Sequence, residues 1–229
     1  MTAGDPPIRD AATVILLRRG PQGASVLMGM RGDKAAFMPS KYVFPGGAVD
    51  AGDGTVPLAA GLAEPSLSRL TQEPRPGVSI DVPALAAAAL RELVEETGLM
   101  IGRKNGAGCD WPGYAEAGLT PDAGALHYVF RAITPPGRPR RFDARFFIAD
   151  AATLTNDPDD FSAAADELSH LQWVPLDEAR ALNLPFITEV VLAEVAELVA
   201  ESGDGPLQAP DTVPFFDNRN ATPRFAQIS

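Results

Sequence analysis

Three glutamates crowd one short segment of the sequence, RELVEETGLM at residues 91–100. Because an α-helix turns by about 100° per residue, Glu92, Glu95 and Glu96 would share an arc of roughly 100° on one helical face. Like charges at this spacing repel. Mg²⁺ prefers carboxylate oxygens and would neutralise the repulsion. The segment is therefore a candidate metal site, and a solvated acidic helix with an Arg91–Glu95 ion pair is the alternative.

A helix must hold these carboxylates in place, and the sequence marks both of its ends. Asp81 is a good N-cap, Pro83 suits the first turn, and the alanine-rich run at 84–89 has high helix propensity. Gly98 is placed to end the helix in a left-handed cap. We therefore predict a helix from about residue 82 to residue 97.

Apolar runs rich in β-formers surround this helix and predict a sheet. Residues 11–32 predict a β-hairpin that turns at 20–23, and YVFPGG predicts a short strand entering a turn at Pro45–Gly46–Gly47. Further strands are predicted at 124–134, 140–150 and 166–176, with helices at 177–182 and 188–200. Strands and helices alternate without a regular βαβ rhythm, which favours an α+β fold, an α/β/α sandwich with a mixed, partly antiparallel sheet.

Composition narrows the class of protein. The 229 residues are 45% hydrophobic and 21% charged, as in a soluble globular protein, and the net charge of −11 argues against nucleic-acid or anionic-membrane binding. Cys109 is the only cysteine, so an intramolecular disulfide and a cysteine zinc site are excluded. The start has no basic stretch followed by an apolar run, and no 18-residue apolar run occurs, so we expect a cytoplasmic protein.

We expect a single domain over residues 1–229 with two irregular parts. Residues 54–80 carry scattered Gly and Pro, with a modest helical stretch at 58–70, and are interpreted as an insertion. Residues 202–229 are rich in Pro, Gly, Asp and Asn and predict an extended tail anchored by Phe215 and Phe216. The insertion and the tail could together form the interface of a homodimer.

The glutamate helix and an upstream glycine turn together resemble the Nudix box. Gly47, five residues and Asp53 precede the run Arg91-Glu92-Leu93-x-Glu95-Glu96-x-Gly98-Leu99, which matches the second half of the box at every defined position. The sequence departs from the pattern twice. Asp53 stands where the family usually has Glu, and 37 residues, 54–90, replace the usual seven-residue spacer. Closure entropy permits such an insertion cheaply.

The resemblance implies a Nudix-like fold and a metal-dependent hydrolase of diphosphate bonds. It implies Mg²⁺ or Mn²⁺ bound by Glu92, Glu95, Glu96 and the Gly46 carbonyl. Arg91 is expected to orient the carboxylates, and Asp53 to contribute structurally. One of the cluster glutamates or the remote Glu167 is expected to accept the proton of the attacking water, so the expected catalytic residues are Glu95, Glu92, Arg91 and Glu167.

Within the family, FMPSKYVFPGGAVDAGD, the long insertion and RRFDARFFIA are similar to the coenzyme A diphosphatase-type branch. This implies a small nucleotide substrate, coenzyme A or acyl-coenzyme A, cleaved to adenosine 3',5'-bisphosphate and a phosphopantetheine fragment. Diphosphatases of ADP-ribose, NADH or dinucleoside polyphosphates are the alternatives within the enzyme class. A non-catalytic nucleotide-binding regulator on the same fold is the alternative outside it.

Arginines close to the strand at 140–150 form the dense basic cluster of an otherwise acidic chain. Arg138, Arg140, Arg141 and Arg145 could bind substrate phosphates bidentately, and Arg31 at the end of the second strand is a similar candidate. The alternative is a solvated loop that offsets the local acidity.

Overall fold

A computed structural model describes residues 5–33, 38–104, 106–203 and 205–229. A nine-stranded mixed sheet runs through this part of the chain in the order β11-β10-β7-β8-β1-β2-β3, with β4 paired to β1 and β9 paired to β2. Its strands are β1 (Ile8–Gly20), β2 (Gly23–Arg31), β3 (Tyr42–Val43), β4 (Gly46–Ala48), β7 (His127–Ile133), β8 (Arg141–Asp150), β9 (Leu168–Pro175), β10 (Val213–Asp217) and β11 (Arg224–Ile228). A separate two-stranded ribbon joins β5 (Gly102–Arg103) to β6 (Thr120–Pro121).

Helices cover both faces of the sheet, which confirms the predicted α+β sandwich. The helices are α1 (Ser66–Leu70), α2 (Val82–Thr97), α3 (Tyr114–Ala117) and α4 (Phe186–Ser202). Successive side chains of a strand point to opposite faces. On β1, Val14 and Leu16 therefore join the core cluster that contains α2, whereas Ile15 and Leu17 join the cluster that contains α4.

The predicted hairpin and the three predicted strands around β7, β8 and β9 are confirmed. In the hairpin Leu17 faces Val26 and Gly20 faces Gly23. The parallel pairing of β1 with β8, from Ile8↔Arg141 to Leu17↔Asp150, is the long-range contact that organises the sheet. The region predicted as the helix at 177–182 contains only a 3-10 turn, Ala179–Ala181.

The sequence did not predict two strand pairings, because the pairing partners lie far away in sequence. Gly46–Ala48 is not a turn but the strand β4, which pairs antiparallel with residues 11–13 of β1. The tail forms the hairpin β10–β11, and β10 adds parallel to β7, with Phe215 opposite Arg131. Glycine and proline indicate turns by local preference, but backbone pairing with a distant strand overrides that preference here.

Helix α2 has the predicted limits and is buried nearly all round. The Asp81 carboxylate accepts a hydrogen bond from the Ala84 amide at 2.9 Å, and Gly98 ends the helix with φ 75°. A helix that is apolar on most of its surface must be covered on its outer side as well. Leu62 and Leu70 of the insertion belong to the same core cluster as α2, so the insertion supplies part of that cover.

A buried aspartate on β8 ties the insertion to the sheet. Asp143 is fully buried and accepts hydrogen bonds from Arg131 Nε and Nη2, both at 2.8 Å, and from Arg75 Nε of the insertion at 2.9 Å. Burial alone would raise the pKa of Asp143, but Arg131, Arg145 and Arg75 lower it below its usual value. Asp143 is therefore held as a carboxylate by three arginines.

The insertion also contacts the C-terminal hairpin. Arg69 donates to the carbonyls of Pro210 and Asp211, and Glu73 accepts a 2.8 Å hydrogen bond from Arg224 Nη2 on β11. Both segments interpreted as irregular from the sequence are thus packed into the fold. Among the described residues, none of the helices combines the length and apolarity needed to cross a membrane.

Replacing Asp143 by Asn is expected to destabilise the protein by about 3–5 kcal/mol, because it leaves the buried Arg131 without its counter-charge. Urea unfolding followed by circular dichroism measures the change. The control is Asp177→Asn, which alters an exposed carboxylate and is expected to change stability by less than about 0.5 kcal/mol. Equal effects in the two variants would contradict the role of Asp143.

The stability difference between the wild type and Asp143→Asn is expected to depend on pH. Because the folded-state pKa of Asp143 is lowered, its ionised form contributes stability above the unfolded pKa of about 4, and this contribution is lost as pH falls through the folded value. Urea unfolding at a series of pH values between about 7 and 3 should show the two proteins converging at the acid end. A constant difference would contradict the expectation.

Candidate metal centre

The Arg91 guanidinium joins the two halves of the predicted site. Its Nε and Nη2 donate to the two carboxylate oxygens of Asp53 at 2.9 and 3.1 Å, and Nη2 also donates to the Ala48 carbonyl at 3.0 Å. On the other side, Nη1 donates to Glu92 at 2.9 Å and to Glu95 at 3.0 Å. One side chain therefore links the glycine segment to the glutamate helix across the 37 intervening residues 54–90.

Asp53 and Arg91 form a buried bidentate pair. Asp53 is 3% exposed and Arg91 is 9% exposed. Burial alone would lower the pKa of Arg91, but its hydrogen bonds with Asp53 and the charges of Glu92 and Glu95 raise it, so the guanidinium stays charged. Asp53 also accepts a 2.8 Å hydrogen bond from the Asp50 amide. The shorter acidic side chain is thus accommodated as a partner of Arg91 and is not one of the three clustered carboxylates described next.

Three carboxylates converge beside this pair. One oxygen from each of Glu92, Glu96 and Glu167 lies within 4.8 Å of the other two. Glu92 and Glu96 come from successive turns of α2, whereas Glu167 lies in the exposed segment just before β9. Three hard oxygen donors at this separation fit the ligand preferences of Mg²⁺ or Mn²⁺. The donor set is therefore suited to a divalent cation.

The electrostatics of the cluster favour a positive ion. Burial raises the pKa of Glu96 to about 8, and the Glu92 and Glu167 charges add to this effect, although the Gly46 amide and Arg31 oppose it. Burial likewise raises the pKa of Glu92, and Arg91 opposes this effect. Two buried carboxylates and a third nearby have more negative charge than their surroundings neutralise, which a divalent cation would correct.

Two glycines of β4 allow the helix carboxylates to approach the strand backbone. The Gly46 amide donates to Glu96 Oε2 at 2.7 Å. A Cβ atom at Gly46 would lie 2.5 Å from the Ala12 carbonyl oxygen, and a Cβ at Gly47 would overlap the Glu92 carboxylate. The absence of a side chain at Gly47 therefore creates the space in which Glu92 sits.

Glu95 lies outside the described three-carboxylate cluster. It follows Arg91 by one helical turn, so the two side chains lie next to each other on α2, and the Glu95 side chain is 48% exposed while it accepts from Arg91. Glu96, one position on, is rotated by about 100° towards the sheet and is 2% exposed. The expected role of Glu95 as a ligand remains a prediction.

A cavity of about 1060 Å³ extends from the carboxylates across the sheet face. Glu92, Glu96 and Glu167 line one part of it, and five basic side chains also line it: Arg9, Arg31, Lys41, Arg138 and Arg140. Arg31 has a buried Nε without a hydrogen-bond partner in the described part of the chain. The cavity thus combines an acidic centre with basic walls.

The predicted arginine cluster divides into two groups. Arg138 and Arg140 precede β8 and line the cavity, whereas Arg141 and Arg145 lie on β8, on the face opposite Phe142 and Phe146, and are buried. Arg145 binds Asp10 and Asp143, and Arg141 donates to the carbonyls of Thr134 and Asn218. As placed, Arg141 and Arg145 have structural partners and do not reach the cavity.

Several cavity residues were not singled out from the sequence. Arg9 precedes the predicted hairpin, Lys41 directly precedes β3, and Phe186 begins α4. Phe142 and Phe146 also line the cavity. In RRFDARFFIAD they alternate with charged residues, and this alternation indicates that the two phenylalanines share one face of the strand. Phe186 offered no local signal, because its position depends on how α4 docks.

The sandwich and the carboxylate helix define a protein of the Nudix fold. No protein-family model matches the chain. A Caenorhabditis elegans protein described as nudix hydrolase 7 is 29% identical over 197 residues, covering 76% of this chain and 55% of that protein. The chain therefore spans about half the length of this curated relative.

A solved structure gives the stronger comparison. The NUDIX hydrolase from Alicyclobacillus acidocaldarius is 28% identical, with a TM-score of 0.61, and the match covers 88% of this chain and 98% of that chain. Together these likenesses support a Nudix fold for this chain.

Replacing Gly47 by Ala is expected to displace the Glu92 carboxylate and weaken Mn²⁺ binding about 10- to 100-fold. Isothermal titration calorimetry with Mn²⁺ measures the affinity. The matched control is Gly52→Ala in the same segment, where a Cβ meets no atom within 4 Å. If the Gly47 variant keeps its fold and its Mn²⁺ affinity is unchanged, Glu92 is not a ligand of the metal.

Proposed function

We propose that this protein is a Mg²⁺- or Mn²⁺-dependent hydrolase that cleaves the diphosphate bond of a nucleoside diphosphate linked to another moiety. The observation that carries the proposal is the convergence of Glu92, Glu96 and Glu167 in a large basic-walled cavity, with Glu92 held by Arg91. The sequence resemblance of residues 91–99 to the Nudix box and the similarity to solved and curated relatives support it.

In this proposal the glutamates and Arg91 have different roles. Glu92 and Glu96 hold the metal ion, and Glu167 completes the set from the opposite side. When bound, the divalent ion neutralises phosphoryl charge and lowers the pKa of the attacking water. Arg91 is a positioning residue, because it contacts the carboxylates of Glu92 and Glu95 and is not among the residues that line the cavity. Glu95 or Glu167 accepts the proton of the water, since each keeps an exposed carboxylate next to the buried ones.

The basic walls of the cavity suit the phosphates of the substrate. Arg31 stands close enough to Glu96 to lower its pKa, so it is placed to contact a phosphoryl oxygen near the metal. Arg138 and Arg140 lie on the loop that enters β8, at the register of Ile8, about five residues along β1 from Thr13, which pairs with Gly46. Five strand residues span roughly 17 Å of backbone, so these two arginines would bind an anionic group away from the metal centre.

Coenzyme A or acyl-coenzyme A is the substrate that we put first, with products adenosine 3',5'-bisphosphate and (acyl-)phosphopantetheine. The similarity of residues 37–53 and 140–149 to the coenzyme A diphosphatase-type branch supports this choice. The size of the cavity accommodates a large nucleotide, and a phosphate remote from the diphosphate would meet Arg138 and Arg140. ADP-ribose, NADH and dinucleoside polyphosphates fit the same centre equally well.

Substrate choice is tested by incubating the protein with Mg²⁺ or Mn²⁺ and each of coenzyme A, ADP-ribose, NADH and diadenosine polyphosphates, and identifying the products by mass. We expect coenzyme A to give adenosine 3',5'-bisphosphate. Release of AMP from NADH or ADP-ribose, without loss of coenzyme A, would reject coenzyme A and retain the hydrolase. No product from any compound would reject the hydrolase.

Replacing Glu96 by Gln is expected to lower kcat by a factor of about 10² or more and to weaken Mn²⁺ binding, because it removes a charged ligand. Glu95→Gln is expected to lower kcat by a similar factor with a smaller change in Mn²⁺ affinity, because its carboxylate lies outside the cluster. Steady-state kinetics and Mn²⁺ titration measure both effects. Glu201→Gln, on the exposed end of α4, is the control and should match the wild type. Wild-type rates in the Glu96 variant at saturating metal would exclude it from the centre.

A further inference from the structure

Small side chains form the floor of the cavity where it leaves the carboxylates. Ala48 pairs with Ala11, Ala11 with Ala144 and Ala144 with Ala132 on successive strands, and Phe216 on β10 pairs with Ala132. All five line the cavity. Because neighbouring strands lie about 4.8 Å apart, the row spans roughly 19 Å. The floor is therefore a shallow, flat strip that leads from the metal centre to Phe216.

An exposed aromatic ring stands at the far end of this strip. Phe186, the first residue of α4, is 67% exposed and lines the cavity. Its ring meets that of Phe216 edge-on, with the centroids 6.4 Å apart. Phe216 thus supports Phe186 from one side, and much of the Phe186 ring is open to the cavity and solvent. Phe186 and Phe216 together form an apolar surface at the cavity rim, and contiguous apolar surface of this kind is typical of binding sites.

Positive charge also lies at the border of the cavity. Arg138 and Arg140 are exposed, line the cavity, and form no ion pair or hydrogen bond within the part of the chain that the structure describes. A ligand that is only an apolar chain would form no ion pair or hydrogen bond with these guanidinium groups. A nucleoside that carries phosphate has both the flat ring for the strip and the negative charge for the arginines.

We propose that Phe186 is the stacking platform for the base of the substrate, with the alanine strip as the floor on which the nucleoside lies. This inference rests on the proposed function, because it concerns the base of the nucleotide that the hydrolase would cleave. Phe186 is a specificity-determining residue in this arrangement and takes no part in bond cleavage. Stacking on an aromatic ring tolerates any base, since every base has a π-face, so the ring selects a nucleoside over a chain.

Ligands without a diphosphate bond separate binding from hydrolysis. Isothermal titration calorimetry on the full chain compares adenosine 5'-monophosphate, ribose 5-phosphate, which lacks the base, and decyl phosphate, which replaces the nucleoside by an alkyl chain. Phe186→Ala is expected to weaken binding of adenosine 5'-monophosphate about 10-fold and to leave ribose 5-phosphate unchanged. Phe186→Trp should restore the affinity.

Phe225 provides a matched control. It is also exposed, at 55%, and its ring also lies near Phe216, with centroids 6.1 Å apart, but it does not line the cavity. Phe225→Ala is therefore expected to bind all three ligands as the wild type does. An equal loss in the Phe225 and Phe186 variants would show that disturbance of Phe216, and not stacking, is responsible, and would overturn the proposal.

The remaining outcomes are also decisive. Wild-type protein that binds adenosine 5'-monophosphate no tighter than ribose 5-phosphate, or a Phe186→Ala variant that loses decyl phosphate alone, would overturn the proposal. Phe186-dependent nucleotide binding in a protein that hydrolyses nothing in the substrate panel would support this inference while the proposed hydrolase fails. Hydrolysis with the same KM in the wild type and Phe186→Ala would support the proposed hydrolase and overturn this inference.

Discussion

The bidentate pair between Arg91 and Asp53 is the interaction on which the rest of the site depends. It is buried, and the same guanidinium also binds the Ala48 carbonyl and the carboxylates of Glu92 and Glu95. A 37-residue excursion separates the two partners in sequence, so their pairing closes a long loop. Closure entropy grows only slowly with loop length, which is why one buried ion pair and the core beneath it can hold the two halves together.

A second buried ionic cluster links the insertion to the sheet. Asp143 accepts from Arg131 of the sheet and from Arg75 of the insertion. The insertion also covers α2, whose alanine-rich sequence requires burial all round, and it contacts the C-terminal hairpin through Arg69 and Glu73. The site helix is thus packed between the sheet and the insertion. Its carboxylates are pre-positioned by packing and do not depend on a mobile loop.

The period of a β-strand decides which charges serve structure and which face the cavity. On β8 the odd-numbered residues Arg141, Asp143 and Arg145 are buried in ion pairs or hydrogen bonds, whereas Phe142, Ala144 and Phe146 line the cavity. The arginines that precede the strand, Arg138 and Arg140, escape this alternation and remain exposed. A basic cluster that is continuous in sequence is therefore two functionally separate groups in space.

By itself, the sequence determined the elements with strong local preferences: helix α2 with its Asp81 and Gly98 caps, the first hairpin, the strands around β7, β8 and β9, and the glutamates that α2 carries. These follow from caps, periodicity and propensity, which act within a few residues. Only the tertiary structure decided that Gly46–Ala48 is a strand, that the tail completes the sheet, that Glu167 joins Glu92 and Glu96, and that Phe186 reaches the cavity. Each of those outcomes depends on partners distant in sequence, which local preferences cannot specify.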